Sequence, residues 1–225
     1  MKKTVVCYGD SNTWGYTPGS GVRFDENTRW TGRLQILLGE AYKIVECGMN
    51  ARTTSFDDPF RDYLNGRRGL VYSLMEAKPV DLLVISLGTN DLKYGDAFRS
   101  SRGLDALLDL AVHANICIPG SSPIYREEPR VLVISPIALH PLLEEKFPLH
   151  EMAGRVRTSR EFAPLFQDVC RKYGAAFLDA AEVARASEAD CVHMDQESHN
   201  ALANSVKEKI LQIFQEHPNP CKCTR

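Results

Sequence analysis

The chain has 225 residues, a length that fits one domain with enough interior to form a sizeable core. Hydrophobic residues make up 44% and charged residues 25%, with 15 Gly and 12 Pro, which excludes disordered, collagen-like and membrane-embedded classes. Lys and Arg total 27 against 29 Asp and Glu, a net charge of −2, so no basic excess exists to neutralise nucleic-acid phosphates.

Five short apolar runs follow one another along the chain, at residues 4–8, 42–47, 81–87, 130–135 and 175–178. They are rich in Val, Ile and Leu without clean alternation, as expected for strands of a parallel sheet covered on both faces. Between them the apolar spacing predicts helices over residues 28–38, 70–77, 103–114 and 157–173, and a last one over 197–216. Gly39 and Gly174 stand where helices end, and Asp195 or Ser198 stands where the last one begins. Strand and helix alternate throughout, which predicts a single-domain three-layer α/β/α sandwich, flavodoxin-like, with a five-stranded parallel sheet in the order 2-1-3-4-5. That domain is expected to occupy residues 1–216. Residues 217–225, HPNPCKCTR, carry two prolines and no periodicity, and read as a flexible tail whose Cys-x-Cys matches no common zinc spacing.

Seven cysteines is an odd number, and several sit in apolar runs such as TVVCYG, where a thiol packs as a small hydrophobe. This usage favours a reducing compartment. The N-terminus has only a five-residue apolar stretch after two lysines, too short for a secretion signal or a membrane span. A cytoplasmic location without membrane association is expected.

In a doubly wound sheet, ligands bind beyond the carboxyl ends of the strands. The segments there are GDSNTWG, GMNARTT, GTNDLK, SPIALHP and, past a short connector, ADCVHMD. Ser11 follows the first strand directly and can expose its hydroxyl at the strand tip, although Gly-Asp-Ser is also ordinary turn chemistry. Asn90, in GTND, would hold an amide donor over the same end of the sheet, or simply turn the chain. Asp190 and His193 can pair only if the loop turns back, and a lone D-x-x-H fits a surface loop as well. Of the other histidines, His113 falls in a helix, His140 and His150 flank a Pro-rich loop, His199 lies on the last helix with Asp195 four residues before it, and His217 lies in the tail. Residues 56–68, 118–129 and 136–154 form long irregular stretches suited to a lid or to a contact between copies.

Taken together, a serine, an amide and D-x-x-H supply a nucleophile, an oxyanion donor and a base with its orienting carboxylate. The ordered blocks GDSNTWG (9–15), GMNARTT (48–54), GTND (88–91) and DCVH (190–193) resemble those of the SGNH (GDSL-type) hydrolase superfamily. RWTG (29–32), DDP (57–59) and LNG (64–66) bring the likeness closer to the bacterial arylesterase/acyltransferase branch, which includes perhydrolytic enzymes. The resemblance implies Ser11 as nucleophile, His193 as general base and then acid, and Asp190 as its orienter. It implies an oxyanion hole of the Ser11 N–H, the Ala51 N–H and the Asn90 side chain. Many superfamily members carry Gly where Ala51 stands, and a positive φ would suit Ala less well than Gly. Trp14, Leu92 and Val192 adjoin the blocks as candidate substrate-binding residues or as ordinary core. The implied reaction is hydrolysis of small aryl or short-acyl esters through an acyl-enzyme, with no cofactor or metal, with transfer to other alcohols or to peroxide permitted, and with a homo-oligomer expected. Two alternatives stand beside it. One is a carbohydrate O-acetyl esterase; the other is a flavodoxin-like flavin-binding module, which leaves Asp190 and His193 without a role.

Overall fold

The computed structural model describes residues 1–116 and 122–216, so the expected tail at 217–225, with His217 and the Cys-x-Cys, lies outside the described residues. Strand β1 runs Lys3–Gly9, followed by a one-turn helix α1 at Ser11–Trp14 and helix α2 at Trp30–Leu38. Strand β2 (Tyr42–Gly48) leads to α3 (Gly66–Ala77), β3 (Leu82–Ser86) to α4 (Ala97–Val112), and β4 (Val131–Ser135) to the short α5 (Leu143–Lys146) and α6 (Phe162–Tyr173). Strand β5 (Ala176–Asp179) and the long α7 (Gln196–Glu216) complete the order.

The sheet order is β2-β1-β3-β4-β5 and every pairing is parallel, as the alternation of elements predicts. Successive strand side chains point to opposite faces, and here both faces are buried. Val6, Tyr8, Leu83, Ile85 and Val133 pack with Leu70 and Leu74 of α3, Leu104 and Leu107 of α4, and Phe162 and Phe166 of α6. Val5, Cys7, Leu82, Val84, Leu132 and Ile134 pack on the other side with Trp30 and Leu34 of α2 and Leu202, Val206 and Ile210 of α7. Two-sided burial is why these strands read as continuous apolar runs. Truncating one of these leucines to alanine costs on the order of 2–5 kcal/mol, because the close-packed surroundings relax only partly around the cavity.

Helix starts differ from the sequence expectation where side-chain caps set them. Helix α3 begins at residue 66 rather than 70, since the Asn65 side chain accepts from the Arg67 N–H at 3.0 Å. Helix α4 begins at 97 rather than 103, since Asp96 accepts from the Arg99 N–H at 2.8 Å. Gly103 then lies inside the helix, where a Cβ would overlap the Thr54 hydroxyl and the Phe56 ring, so this glycine lets α4 lie against the loop that follows β2. The expected helix at 157–173 splits into a 3-10 turn and α6, whose start at Phe162 suits Pro164, a residue that cannot donate to a preceding carbonyl and belongs in a first turn.

Candidate active site

All five strands end on one side, and the blocks converge there. Asp10 caps α1: its carboxylate accepts the Asn12 N–H at 3.0 Å, which forces the chain to turn immediately after β1 and places Ser11 first in the helix. The close approach of this turn to β2 depends on Gly48, where a Cβ would collide with the Trp14 backbone. The Asn12 side chain accepts from the Met194 N–H at 2.9 Å, tying the serine's turn to the residue next to His193.

Ser11 Oγ lies 2.8 Å from His193 Nε2, and His193 Nδ1 lies 2.8 Å from Asp190 Oδ2. An ionised carboxylate only accepts, so Nδ1 carries the proton and Nε2 is left to accept from the serine. The loop turns back as D-x-x-H requires: Cys191 adopts φ +66, and Asp190 Oδ1 accepts the N–H groups of Val192 (3.0 Å) and His193 (2.9 Å). Partial burial alone would raise the Asp190 carboxyl, but hydrogen bonds and charge from His193 outweigh it and hold it at about 2. With side-chain exposures of 16% for His193 and 20% for Asp190, the pair is shielded yet reachable.

The residues expected on the oxyanion side come from the next two blocks. Ala51 has φ +62, the left-handed conformation that makes Gly common at such a position. Asn90 sits in a 3-10 turn (Thr89–Lys93) after β3, 5% exposed, and one of its amide protons is donated to Arg52 O at 3.2 Å. An amide carries two N–H donors, so this bond fixes the group and leaves the second proton for a ligand. As the first residue of α1, Ser11 has an N–H without an intrahelical partner.

Residues that the motif reading left without a role hold this arrangement. Buried Arg52 donates to Gly9 O at 2.8 Å and to Cys47 O, and its guanidinium lies 4.1 Å from the Tyr8 ring centroid, bracing the ends of β1 and β2. Asp91 accepts from the Thr54 N–H (2.9 Å), the Thr54 hydroxyl (2.7 Å) and the Ser100 hydroxyl (2.6 Å), which clamps the second block onto the third. Burial pushes the Asp91 carboxyl up to about 7 and that of Asp10 up to about 6. A recess of about 20 Å³ is lined by Asp10, Asn12, Ser86, Thr89 and Ser135 among others. Tyr16 stacks on the His193 ring, with centroids 4.1 Å apart and planes tilted by 26°.

The other histidines do other work. His199 is fully buried, where its Nδ1 accepts from the Trp30 N–H at 3.3 Å, and burial pushes it down to about 4. Asp195 accepts from the Ser198 N–H at 2.8 Å and so caps α7. His140 and His150 accept from the backbone N–H groups of Leu142 and Met152. Of the candidate substrate-binding residues, Trp14 is half-buried beside Tyr16, with ring centroids 6.4 Å apart. Leu92 lies at 0% exposure within the larger core cluster, which matches the ordinary-core alternative for this residue. Val192 belongs to the same cluster at 5% exposure.

The family model described as GDSL-like Lipase/Acylhydrolase family matches residues 7–220. The chain is 27% identical over 189 residues to an acetylxylan esterase of Xylanibacter ruminicola, covering 78% of this chain and 35% of that protein, so it spans about a third of the curated relative's length. Among solved structures it resembles a carbohydrate acetylesterase family member from Sinorhizobium meliloti, at 34% identity and a TM-score of 0.86, over 95% of this chain and 99% of that one. It also resembles the aryl esterase of M. smegmatis, at 31% identity and a TM-score of 0.84, over 93% and 99% of the two chains.

Proposed function

Since the chain belongs to the GDSL-like lipase/acylhydrolase family, we propose that it is a serine esterase acting on small carboxylic esters, with Ser11, His193 and Asp190 as its catalytic triad. The observation that carries this is the unbroken relay from Ser11 Oγ through His193 to Asp190, with both links at 2.8 Å. His193 Nε2 takes the serine proton as Oγ bonds to the ester carbonyl carbon. The Ser11 N–H, the Ala51 N–H and the Asn90 amide receive the negative charge that develops on the carbonyl oxygen. Imidazolium then gives its proton to the departing alcohol, and Asp190 stabilises that cation without itself taking the proton. A water, deprotonated by His193, attacks the acyl-serine and releases the acid. A second alcohol in place of water gives transesterification, and hydrogen peroxide gives a peracid.

The half-buried Trp14 closes the serine's turn, which favours short acyl groups such as acetyl. Hydrolysis rates on p-nitrophenyl acetate and p-nitrophenyl palmitate test this, and faster palmitate turnover would overturn it. Likeness to both an aryl esterase and carbohydrate acetylesterases leaves two alcohol classes, and acetate release from acetylated xylan is the result that favours the sugar ester.

Location and assembly belong to the same proposal. The described cysteines Cys7, Cys47, Cys170 and Cys191 are free thiols, consistent with a reducing cytoplasm, and among the described residues no helix is long and apolar enough to cross a membrane. Phe60, Tyr63 and Leu149 stand 90%, 63% and 98% exposed on two long loops, apolar surface suited to a homo-oligomer. A concentration-independent monomer by light scattering removes that part.

A further inference from the structure

The chain after α1 folds back on itself. Thr17 N–H donates to Val22 O at 2.9 Å, Phe24 N–H donates to Gly15 O at 2.7 Å, and Tyr16 bridges Arg23 in antiparallel fashion, making a small hairpin from Gly15 to Phe24. Arg23 anchors it, donating to Trp14 O at 2.7 Å and to Glu46 Oε2 at 2.8 Å. Arg29 in turn grips the same Glu46 through two bonds of 2.6 and 2.9 Å. The hairpin therefore has a braced base, and its other side meets the acid–base pair twice. Tyr16 lies flat on the His193 ring, and the Gly19 N–H donates to Asp190 Oδ2 at 3.2 Å, the same oxygen that holds His193 Nδ1.

We propose that this hairpin is a positioning strap for the catalytic pair, with Tyr16 fixing the imidazole plane and stabilising the imidazolium while Gly19 keeps Asp190 aimed at Nδ1. The proposal rests on the triad roles given above. Its geometry follows from what hydrogen bonds alone leave undetermined. Bonds at Nδ1 and Nε2 both lie in the ring plane, so they define an axis about which the ring can still tilt. A stacked aromatic face blocks that tilt. The same face is the electron-rich side of the Tyr16 ring, which attracts a cation formed against it. Imidazolium appears only once Ser11 has lost its proton, so the attraction is stronger in the transition state than before it and acts on kcat. Asp190 has no slack either: Oδ1 takes two loop N–H groups, and Oδ2 takes Nδ1 and Gly19.

Titratable groups reach His193 from every element around it. These are Asp190 on its own loop, Ser11 and Asp10 after β1, His150 on the loop after α5, and His199 on α7. All are retained in a Tyr16 variant, so a change in the pH profile reads the stacked ring.

The test compares Tyr16→Phe, Tyr16→Trp and Tyr16→Leu on p-nitrophenyl acetate, with kcat and KM followed over roughly pH 5–9 to span an imidazole titration. Tyr16→Phe and Tyr16→Trp are expected to stay within about twofold of the parent, since both keep an aromatic face. Tyr16→Leu is expected to lose roughly 3- to 30-fold in kcat with KM nearly unchanged. Its acid limb moves to lower pH, because the imidazolium has lost a stabilising partner; a merely loosened fold gives no such shift. Should Tyr16→Leu fail to fold by circular dichroism, Tyr16→Met carries the same comparison. A leucine or methionine variant with parental kcat and an unmoved acid limb overturns the proposal, and so does a change in KM alone, which makes Tyr16 a substrate contact. Ser11→Ala separates the two levels: full esterase activity in that variant sinks the triad itself, whereas an inactive Ser11→Ala beside an unaffected Tyr16→Leu sinks only the strap.

Discussion

Asp190 grips His193 at two places, its Oδ2 on the ring Nδ1 at 2.8 Å and its Oδ1 on the same residue's backbone N–H at 2.9 Å. One carboxylate thus sets both the bend of the loop and the tautomer of the base. An asparagine at this position could turn its amide toward Nδ1, which would then have to accept, leaving Nε2 protonated and unable to take the serine proton. Asp190→Asn is expected to lower kcat on p-nitrophenyl acetate by on the order of 10³–10⁴ while the protein stays folded. A loss of less than about tenfold would show that tautomer control is not its role.

The same carboxylate ties stability to pH. Its folded-state value of about 2 lies below the usual Asp value near 3.9 in an unfolded chain. Its contribution is therefore present above about pH 4 and fades as pH falls toward 2, amounting to about 2 kcal/mol at most. Urea unfolding midpoints of the parent and Asp190→Asn should differ at pH 6 and converge as acid protonates the parent; a gap that persists unchanged at low pH contradicts this.

His199 acts in the same direction as Asp190 but in a higher pH window. Burial holds the folded imidazole neutral down to about pH 4, whereas in the unfolded chain it takes up a proton near 6.5. Protonation thus favours the unfolded chain, and folding loses about 2–3 kcal/mol from this residue between pH 6.5 and 4.5. His199→Gln, which keeps an acceptor for the Trp30 N–H, should flatten that part of the stability curve. An unaltered slope would remove His199 as its source.

Asn90→Ala removes the proposed side-chain oxyanion donor. The expected loss is roughly 10²–10³-fold in kcat with little change in KM, because the donor meets charge that exists only as the carbonyl is attacked. An equal rise in KM with kcat unchanged would instead mark ordinary substrate binding.

Ala51 carries strain of a kind that glycine relieves, since φ +62 sets its Cβ against the carbonyl that follows. Ala51→Gly is expected to keep activity and to change stability by about 0 to +1 kcal/mol, the strain relief being offset by the freer unfolded chain. Clear destabilisation by urea unfolding contradicts this.

The fold was legible because its central strands β1, β3 and β4 are buried and apolar and its helices carry apolar faces. Apolar patterning gave the element order, and strand–helix alternation with the rules of doubly wound sheets gave the topology. Helix starts were less legible: Asn65 and Asp96 act through single side-chain caps that periodicity does not register. Ser11, Asp190, His193 and Asn90 stood out because they lie in short blocks at strand ends. Tyr16 did not, since its role depends on a hairpin that returns to a residue far along the chain. Arg52 and Asp91 lie inside the second and third blocks, but their bracing roles were hidden because the sequence does not show that these charged side chains are buried. RWTG and ARTT held the available signal, with Arg29 gripping Glu46 and Thr54 meeting Asp91. Leu92 adjoins a block yet is fully buried, since adjacency to a block says nothing about which way a side chain points.

The proposed chemistry depends most directly on Ser11 as the nucleophile. Mass-spectrometric mapping of the adduct formed with a fluorophosphonate probe tests it, with Ser11→Ala as control. Labelling of the peptide that carries Ser11, abolished in the variant together with esterase activity, is the predicted result. An adduct on any other residue, or a Ser11→Ala variant that keeps full activity, contradicts it.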